Sequence, residues 1–141
     1  MGIAFLFPGQ GSQYVGMGAD LFAEFPAVRR TYEDADALLG WPVTSTSFAG
    51  PAETLNDTRY TQPAVFVHSM AVFEILRQHG IRPDVVAGHS LGEYAALCAS
   101  GALEFGAALR LVAARAAAMA DVASRKPGTM AAVVGLDERT V

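Results

Sequence analysis

The sequence predicts an α/β fold built on a parallel sheet. Three observations carry that expectation. Two short strand-like runs, residues 3–7 and 84–88, are separated by a long stretch with helical patterning. Each run is followed at once by a glycine-containing turn, Pro8-Gly9-Gln10-Gly11 in one case and Gly88-His89-Ser90-Leu91-Gly92 in the other. Helical patterns follow both turns, giving the order β-α-α-β-α-α-β. Strands that alternate with helices return to the sheet through crossovers and so pair in parallel.

Each element has its own signal. Ile3-Ala4-Phe5-Leu6-Phe7 is continuously apolar, the pattern of a strand covered on both faces. Pro8 to Gln13 reads as a loop. A helix is expected over Leu21 to Leu39, broken or restarted at Pro26, because proline brings no N–H to the helical ladder. Residues 40–60 are rich in Gly, Pro, Ser, Thr and Asn and are expected to run over the surface, with a short helix near Glu53-Thr54-Leu55. Pro63 suits the first turn of a helix from Ala64 to about His79, whose apolar residues point nearly all round and predict burial. Then follow strand 84–88, helix 91–99 stopped by Gly101, and a helix from about Phe105 to Ala123. Lys126-Pro127-Gly128 is a turn, Thr129 to Val134 a further short strand, and Asp137 a candidate cap for another helix. That last strand and incipient helix have little to pack against, the expectation for a fragment.

Composition narrows the function classes. The chain has 141 residues, enough for one domain with a core, and 52% are hydrophobic, which excludes disorder. Charged residues and prolines interrupt every apolar stretch before it reaches the length of a membrane span, and no basic region precedes the first strand as in a signal peptide. The net charge is −4 and no basic stripe exists to neutralise phosphates, so nucleic acid is not an expected partner. The single cysteine, Cys98, forms no internal disulfide, which suits a reducing cytoplasm; in an apolar helix it reads as core rather than as a reactive thiol. No metal ligands are assigned.

Ser90 is the focal residue. Gly88-His89-Ser90-Leu91-Gly92 matches G-x-S-x-G, the strand-to-helix turn that presents a nucleophilic serine, and the flanking patterns supply the strand and the helix it requires. The glycines let strand and helix pass closely, and the hydroxyl projects where the helix N-terminus favours a developing anion. A serine that merely caps the helix fits the same letters. Two backbone N–H groups are candidates for stabilising an oxyanion: that of Leu91, next after the serine, and that of Gln10 in the first loop. An ordinary glycine turn remains open for that loop, whereas a phosphate loop does not. Gly9-x-Gly11-x-x-Tyr14 lacks the third glycine of the dinucleotide pattern, and no Gly-Lys-Ser/Thr follows.

Two further side chains draw notice. On an idealised wheel of the 105–123 helix, Arg115 falls among Leu111, Val112, Met119 and Val122, with Arg110 and Asp121 on the other face. An arginine aimed at apolar surroundings needs an anion, and its guanidinium binds a carboxylate through two parallel hydrogen bonds. Snorkelling, or pairing with a structural carboxylate, is the competing reading. Gln62, just before the buried helix, fits a donor at the helix mouth or a cap. The histidines offer no convincing base for Ser90. His89 adjoins it and should point away, His68 belongs to a buried helix, and His79 sits at that helix's C-terminal end. The base is therefore expected from residues beyond Val141 or from another chain.

Taken together, Phe5-Leu6-Phe7-Pro8-Gly9-Gln10-Gly11-Ser12-Gln13, Thr61-Gln62-Pro63-Ala64, Gly88-His89-Ser90-Leu91-Gly92-Glu93-Tyr94-Ala95-Ala96-Leu97, Arg115 and Gly128-Thr129-Met130-Ala131-Ala132-Val133-Val134-Gly135-Leu136 resemble the malonyl-CoA:acyl carrier protein transacylases, the acyltransferases of fatty acid and polyketide synthesis. The resemblance spans the whole chain. It implies a large subdomain like the α/β-hydrolase core with a small ferredoxin-like subdomain inserted. Residues 1–125 would be the N-terminal part of the large subdomain, and residues 126–141 the truncated start of the small one. It further implies Ser90 as the nucleophile that takes the acyl group as an ester, Gln10 and Leu91 as oxyanion donors, Arg115 as the holder of the malonyl carboxylate and Gln62 as a pocket residue.

Malonyl-CoA and acyl carrier protein are the implied partners, with no cofactor beyond the coenzyme A thioester that is the substrate, and with neither nucleic acid nor membrane. The family's catalytic histidine lies further along than Val141, so the missing C-terminal half of the same enzyme is an implied partner as well. Leu91, where a glutamine marks the methylmalonyl type, resembles the malonyl type. The alternatives are an acyl hydrolase and a non-catalytic half-domain that needs a partner chain to supply the histidine.

Overall fold

The computed structural model describes residues 2–126, 128, 133–137, 139 and 140. Among them are two strands and seven helices. The strands, β1 (Ala4–Phe7) and β2 (Val85–Gly88), pair in parallel with Ala4 opposite Val85 and Phe7 opposite Gly88. Five helices fill the crossover between them: α1 (Ala19–Glu24), α2 (Pro26–Leu39), α3 (Val43–Ala49), α4 (Ala52–Asn56) and α5 (Thr58–Gln78). After β2 come α6 (Gly92–Ala99) and α7 (Phe105–Arg125). The α/β class and the parallel pairing are as the sequence predicts.

Pro26 separates two helices rather than bending one: Phe25 is extended, and Pro26 opens α2 at a position where its missing N–H costs nothing. Within residues 40–60 the short helix expected near Glu53-Thr54-Leu55 is α4, but the stretch before it, expected to run over the surface, folds into α3, and Val43, Thr46, Ser47 and Leu55 are buried. Its small polar residues signal a loop, but a few well-spaced apolar ones decide for helix once they have a core to meet.

The start of α5 is also corrected. It begins at Thr58, not near Ala64, because the Asp57 carboxylate accepts the Arg59 N–H at 2.8 Å. Pro63 thus lies inside the helix, and Gln62 is a buried residue of its second turn rather than a cap. The expected burial of this helix holds over its first half, where residues from Thr61 to Met70 line the core. α5 packs against α2 on one side and α7 on the other. Its Phe66 stacks on Phe105 at 5.7 Å, while Phe73 meets Phe5 and Phe7 edge-on.

The strand expected to be covered on both faces is covered on one. Phe5 and Phe7 face the helices, whereas Leu6 is 78% exposed and Val85, opposite Ala4 on β2, is 62% exposed. The strand expected over Thr129 to Val134, and with it the small subdomain from Lys126, falls largely outside the described residues. No helix among the described residues is long and apolar enough to cross a membrane.

Candidate active site

The turn after β2 is built by steric necessity. Ser90 has φ 54°, in the left-handed region that side chains avoid, and among the described residues it is alone in this apart from glycines. The glycines on either side admit no substituent. A Cβ on Gly88 would stand 2.1 Å from the Gly92 carbonyl, and one on Gly92 would stand 2.2 Å from the Phe7 carbonyl oxygen. β1, β2 and α6 therefore meet at van der Waals limits, which the His89 N–H reinforces by donating to the Phe7 carbonyl at 3.0 Å. Strain held by rigid surroundings presents the Ser90 side chain outward, at the mouth of α6.

Arg115 meets that serine. Its Nη2 donates to Ser90 Oγ at 3.0 Å, and its Nη1 donates to Gln62 Oε1. The half-buried guanidinium is thus aimed as the sequence suggests, though for a different reason. Leu111 and Val122, expected to share its buried face, are 50% and 59% exposed; the face of α7 that is buried carries Ala108, Leu109, Val112 and Ala116. Arg115 stands at the border of that face, where the side chain reaches the site without being enclosed.

Behind Arg115 runs a chain of hydrogen bonds. Gln62, fully buried, donates through Nε2 to Thr58 Oγ1 at 2.8 Å and to Met119 Sδ at 3.3 Å. Thr58 Oγ1 donates in turn to Gln10 Oε1 at 2.8 Å. The first loop is tied down a second time, where Gln13 Nε2 donates to Asn56 Oδ1 at 2.8 Å. Ser90, Arg115, Gln62 and Gln10, four residues singled out from the sequence, are therefore linked physically. Thr58 and Met119 complete the connection and were not recognised. The signal for Thr58 was its position four residues before Gln62, which places the two on one helix face only if α5 starts at Thr58 behind the Asp57 cap.

Leu91 is buried, and its backbone N–H follows Ser90 at the entry to α6. Among the described residues, neither that N–H nor the N–H of Gln10 donates to a protein acceptor.

The histidines lie elsewhere. The His89 ring covers Gly9, with Nδ1 2.7 Å from where a Cβ would stand. His68 Nδ1 lies 3.3 Å from the buried Tyr32 hydroxyl, and burial holds its pKa below the ordinary imidazole value. His79 Nδ1 donates to the Ile75 carbonyl at 2.8 Å. Among the described residues, none of the three hydrogen-bonds Ser90.

Residues 4–140 match the acyl transferase domain family. The chain is 46% identical over 139 residues to a malonyl CoA-acyl carrier protein transacylase from Escherichia coli, a match covering 98% of this chain and 45% of the relative. It is 47% identical over 135 residues to the enzyme of the same name from Bacillus subtilis, covering 96% of this chain and 43% of the relative. The crystal structure of an acyl-carrier-protein-S-malonyltransferase from Bartonella henselae superposes with a TM-score of 0.88 at 39% identity, over 99% of this chain and 46% of that one. The chain thus spans under half the length of the relatives it matches.

Proposed function

This chain belongs to the acyl transferase domain family, and from that premise we propose that it carries the nucleophile and the acyl-binding side of a malonyl-CoA:acyl carrier protein transacylase. The observation that carries the reading is the guanidinium of Arg115 at hydrogen-bond distance from the Ser90 hydroxyl oxygen. A cation at that place fits an acyl group that ends in a carboxylate.

The transfer has two halves. Ser90 Oγ attacks the thioester carbonyl of malonyl-CoA, and the charge that develops on the carbonyl oxygen is received by the N–H groups of Leu91 and Gln10. The C–S bond breaks, coenzyme A leaves as its thiol, and malonyl remains on Ser90 as an ester. The phosphopantetheine thiol of acyl carrier protein then attacks the ester carbonyl, the C–O bond breaks, and Ser90 recovers its proton. A histidine from the portion of the relatives that this chain does not span moves the proton in both halves. Arg115 has only donors, so its bond to Ser90 uses an oxygen lone pair and leaves the hydroxyl hydrogen free for that base. When malonyl occupies the site, the guanidinium turns to its carboxylate. No cofactor enters, because the thioester supplies the activated acyl group. The α/β-hydrolase likeness of the large subdomain belongs to the same proposal; a parallel strand pair ending in the serine turn supports it.

Mass spectrometry of the full-length protein after incubation with malonyl-CoA tests this. The expected result is a malonyl adduct on the peptide containing Ser90, absent in Ser90→Ala and discharged by acyl carrier protein. Absence of the adduct, or its loss to water as free malonate at the rate of its formation, refutes the transferase reading.

A further inference from the structure

We propose that Thr58 is a positioning residue whose hydroxyl fixes the direction of the hydrogen-bond chain behind Ser90 and so the seat of the Arg115 guanidinium. The inference rests on the roles given above to Ser90 and Arg115. The argument starts from what each group is able to do. A guanidinium only donates, so the buried Gln62 must turn its Oε1 toward Arg115. Its Nε2 then faces Thr58 and needs acceptors there. Thr58 Oγ1 at 2.8 Å supplies the strong one, while Met119 Sδ at 3.3 Å is a weak acceptor. Having accepted, the Thr58 hydroxyl gives its own hydrogen to Gln10 Oε1 at 2.8 Å. The polarity of each link follows from the one before it.

Thr58 is thus the joint between two parts of the site. On one side it anchors the Gln10 side chain against the start of α5, next to the second tie from Gln13 to Asn56. On the other it locks the amide of Gln62 in the one orientation that Arg115 accepts. Without the hydroxyl, the amide loses its strong acceptor. Rotated, it presents N–H groups to a guanidinium, donor against donor. The guanidinium then leaves its seat beside Ser90. Thr58 and Gln62 are four residues apart on α5, so one helical turn sets the geometry of this joint.

The test compares Thr58→Val and Thr58→Ser in the full-length protein. The readout is the ratio of kcat/KM for malonyl-CoA to that for acetyl-CoA, which does not depend on the folded fraction of a preparation. Thr58→Val is expected to lower the ratio about tenfold, chiefly through KM for malonyl-CoA, and Thr58→Ser to stay within about threefold of wild type. A crystal structure of Thr58→Val should show Arg115 Nη2 out of hydrogen-bond range of Ser90. An unchanged ratio, a Ser variant as impaired as the Val variant, or a guanidinium still seated on Ser90 in the Val variant overturns the proposal. A residue that merely packs lowers both substrates together and leaves the ratio alone. Wild-type protein that transfers no malonyl refutes the functional reading instead, and the crystal structure still decides for or against Thr58.

Discussion

Arg115 Nη2 reaches Ser90 Oγ at 3.0 Å, which joins the middle of α7 to the turn between β2 and α6. α6, which follows the turn, and α7 both pack against α5. Gln62 on α5 holds the other arm of the guanidinium. In the function proposed above, a cation fixed at two points beside a strained serine serves to select acyl groups as well as to bind them.

Selectivity is therefore the first expected consequence. Arg115→Ala should lower kcat/KM for malonyl-CoA about 100-fold or more, because a carboxylate placed at the site then lacks its counter-charge. Acetyl transfer should gain relative to malonyl transfer, since acetyl never used the guanidinium. Parallel kinetics on the two thioesters check this, and an unaltered ratio removes Arg115 from acyl recognition.

The serine turn makes a prediction about stability. Gly92→Ala places a methyl 2.2 Å from the Phe7 carbonyl oxygen, and the obstacle is backbone of β1 that cannot swing aside. The cost should be about 3 kcal/mol or more. Gly106→Ala is the control. Its Cβ would meet Leu38 Cδ1 at 3.5 Å and the Arg110 guanidinium from 3.9 Å, ordinary contacts, so helix propensity should make the change neutral or stabilising by about 0.5 kcal/mol. Thermal melts of both variants decide; equal midpoints contradict the crowding at the turn.

What the residues disclosed in advance, and what they did not, has a physical pattern. The strand–turn–helix around Ser90 was legible because its letters are steric requirements: only glycine satisfies Gly88 and Gly92. Arg115 was legible as a charge among apolar neighbours, yet the wheel was right about only two of the four: Val112 is buried and Met119 meets Gln62, whereas Leu111 and Val122 face outward. Periodicity ranks residues by type, while burial follows from what stands opposite. α4 was legible from Glu53-Thr54-Leu55, but α3 was missed because its buried residues, Val43, Thr46 and Ser47, are mostly polar, and the start of α5 because Pro63 outweighed Asp57 as a signal. Thr58 and the chain it closes were invisible for the same reason. A hydrogen-bond relay between a loop and two helices has no sequence period.

Cys98 should be sluggish toward alkylation. Burial pushes its thiol up to about 11, and the nearby Glu104 carboxylate adds to the shift. Against the ordinary value of 9.0, the thiolate fraction at pH 8 falls about 100-fold. Iodoacetamide should thus label the native protein far more slowly than the denatured chain, and comparable rates contradict the assigned environment.

The last prediction concerns His68 and pH. Its ring sits between α5 and α2 with Nδ1 3.3 Å from the Tyr32 hydroxyl, which burial also disfavours as a charged group. Burial lowers the His68 pKa from the ordinary 6.5, and the Asp20 carboxylate only partly offsets this. Above pH 6.5 the imidazole is neutral in both folded and unfolded chains, and its protonation costs the fold nothing. As pH falls through that value, the unfolded chain takes up the proton first. Stability is lost from there down to the lower folded-state pKa, at no more than about 1.4 kcal/mol per pH unit for one proton. Thermal midpoints should therefore decline between pH 7.5 and 5.5, and the decline should be shallower in His68→Gln, which has nothing to titrate at that site. Parallel slopes in the two proteins would show that the buried ring does not govern the acid response.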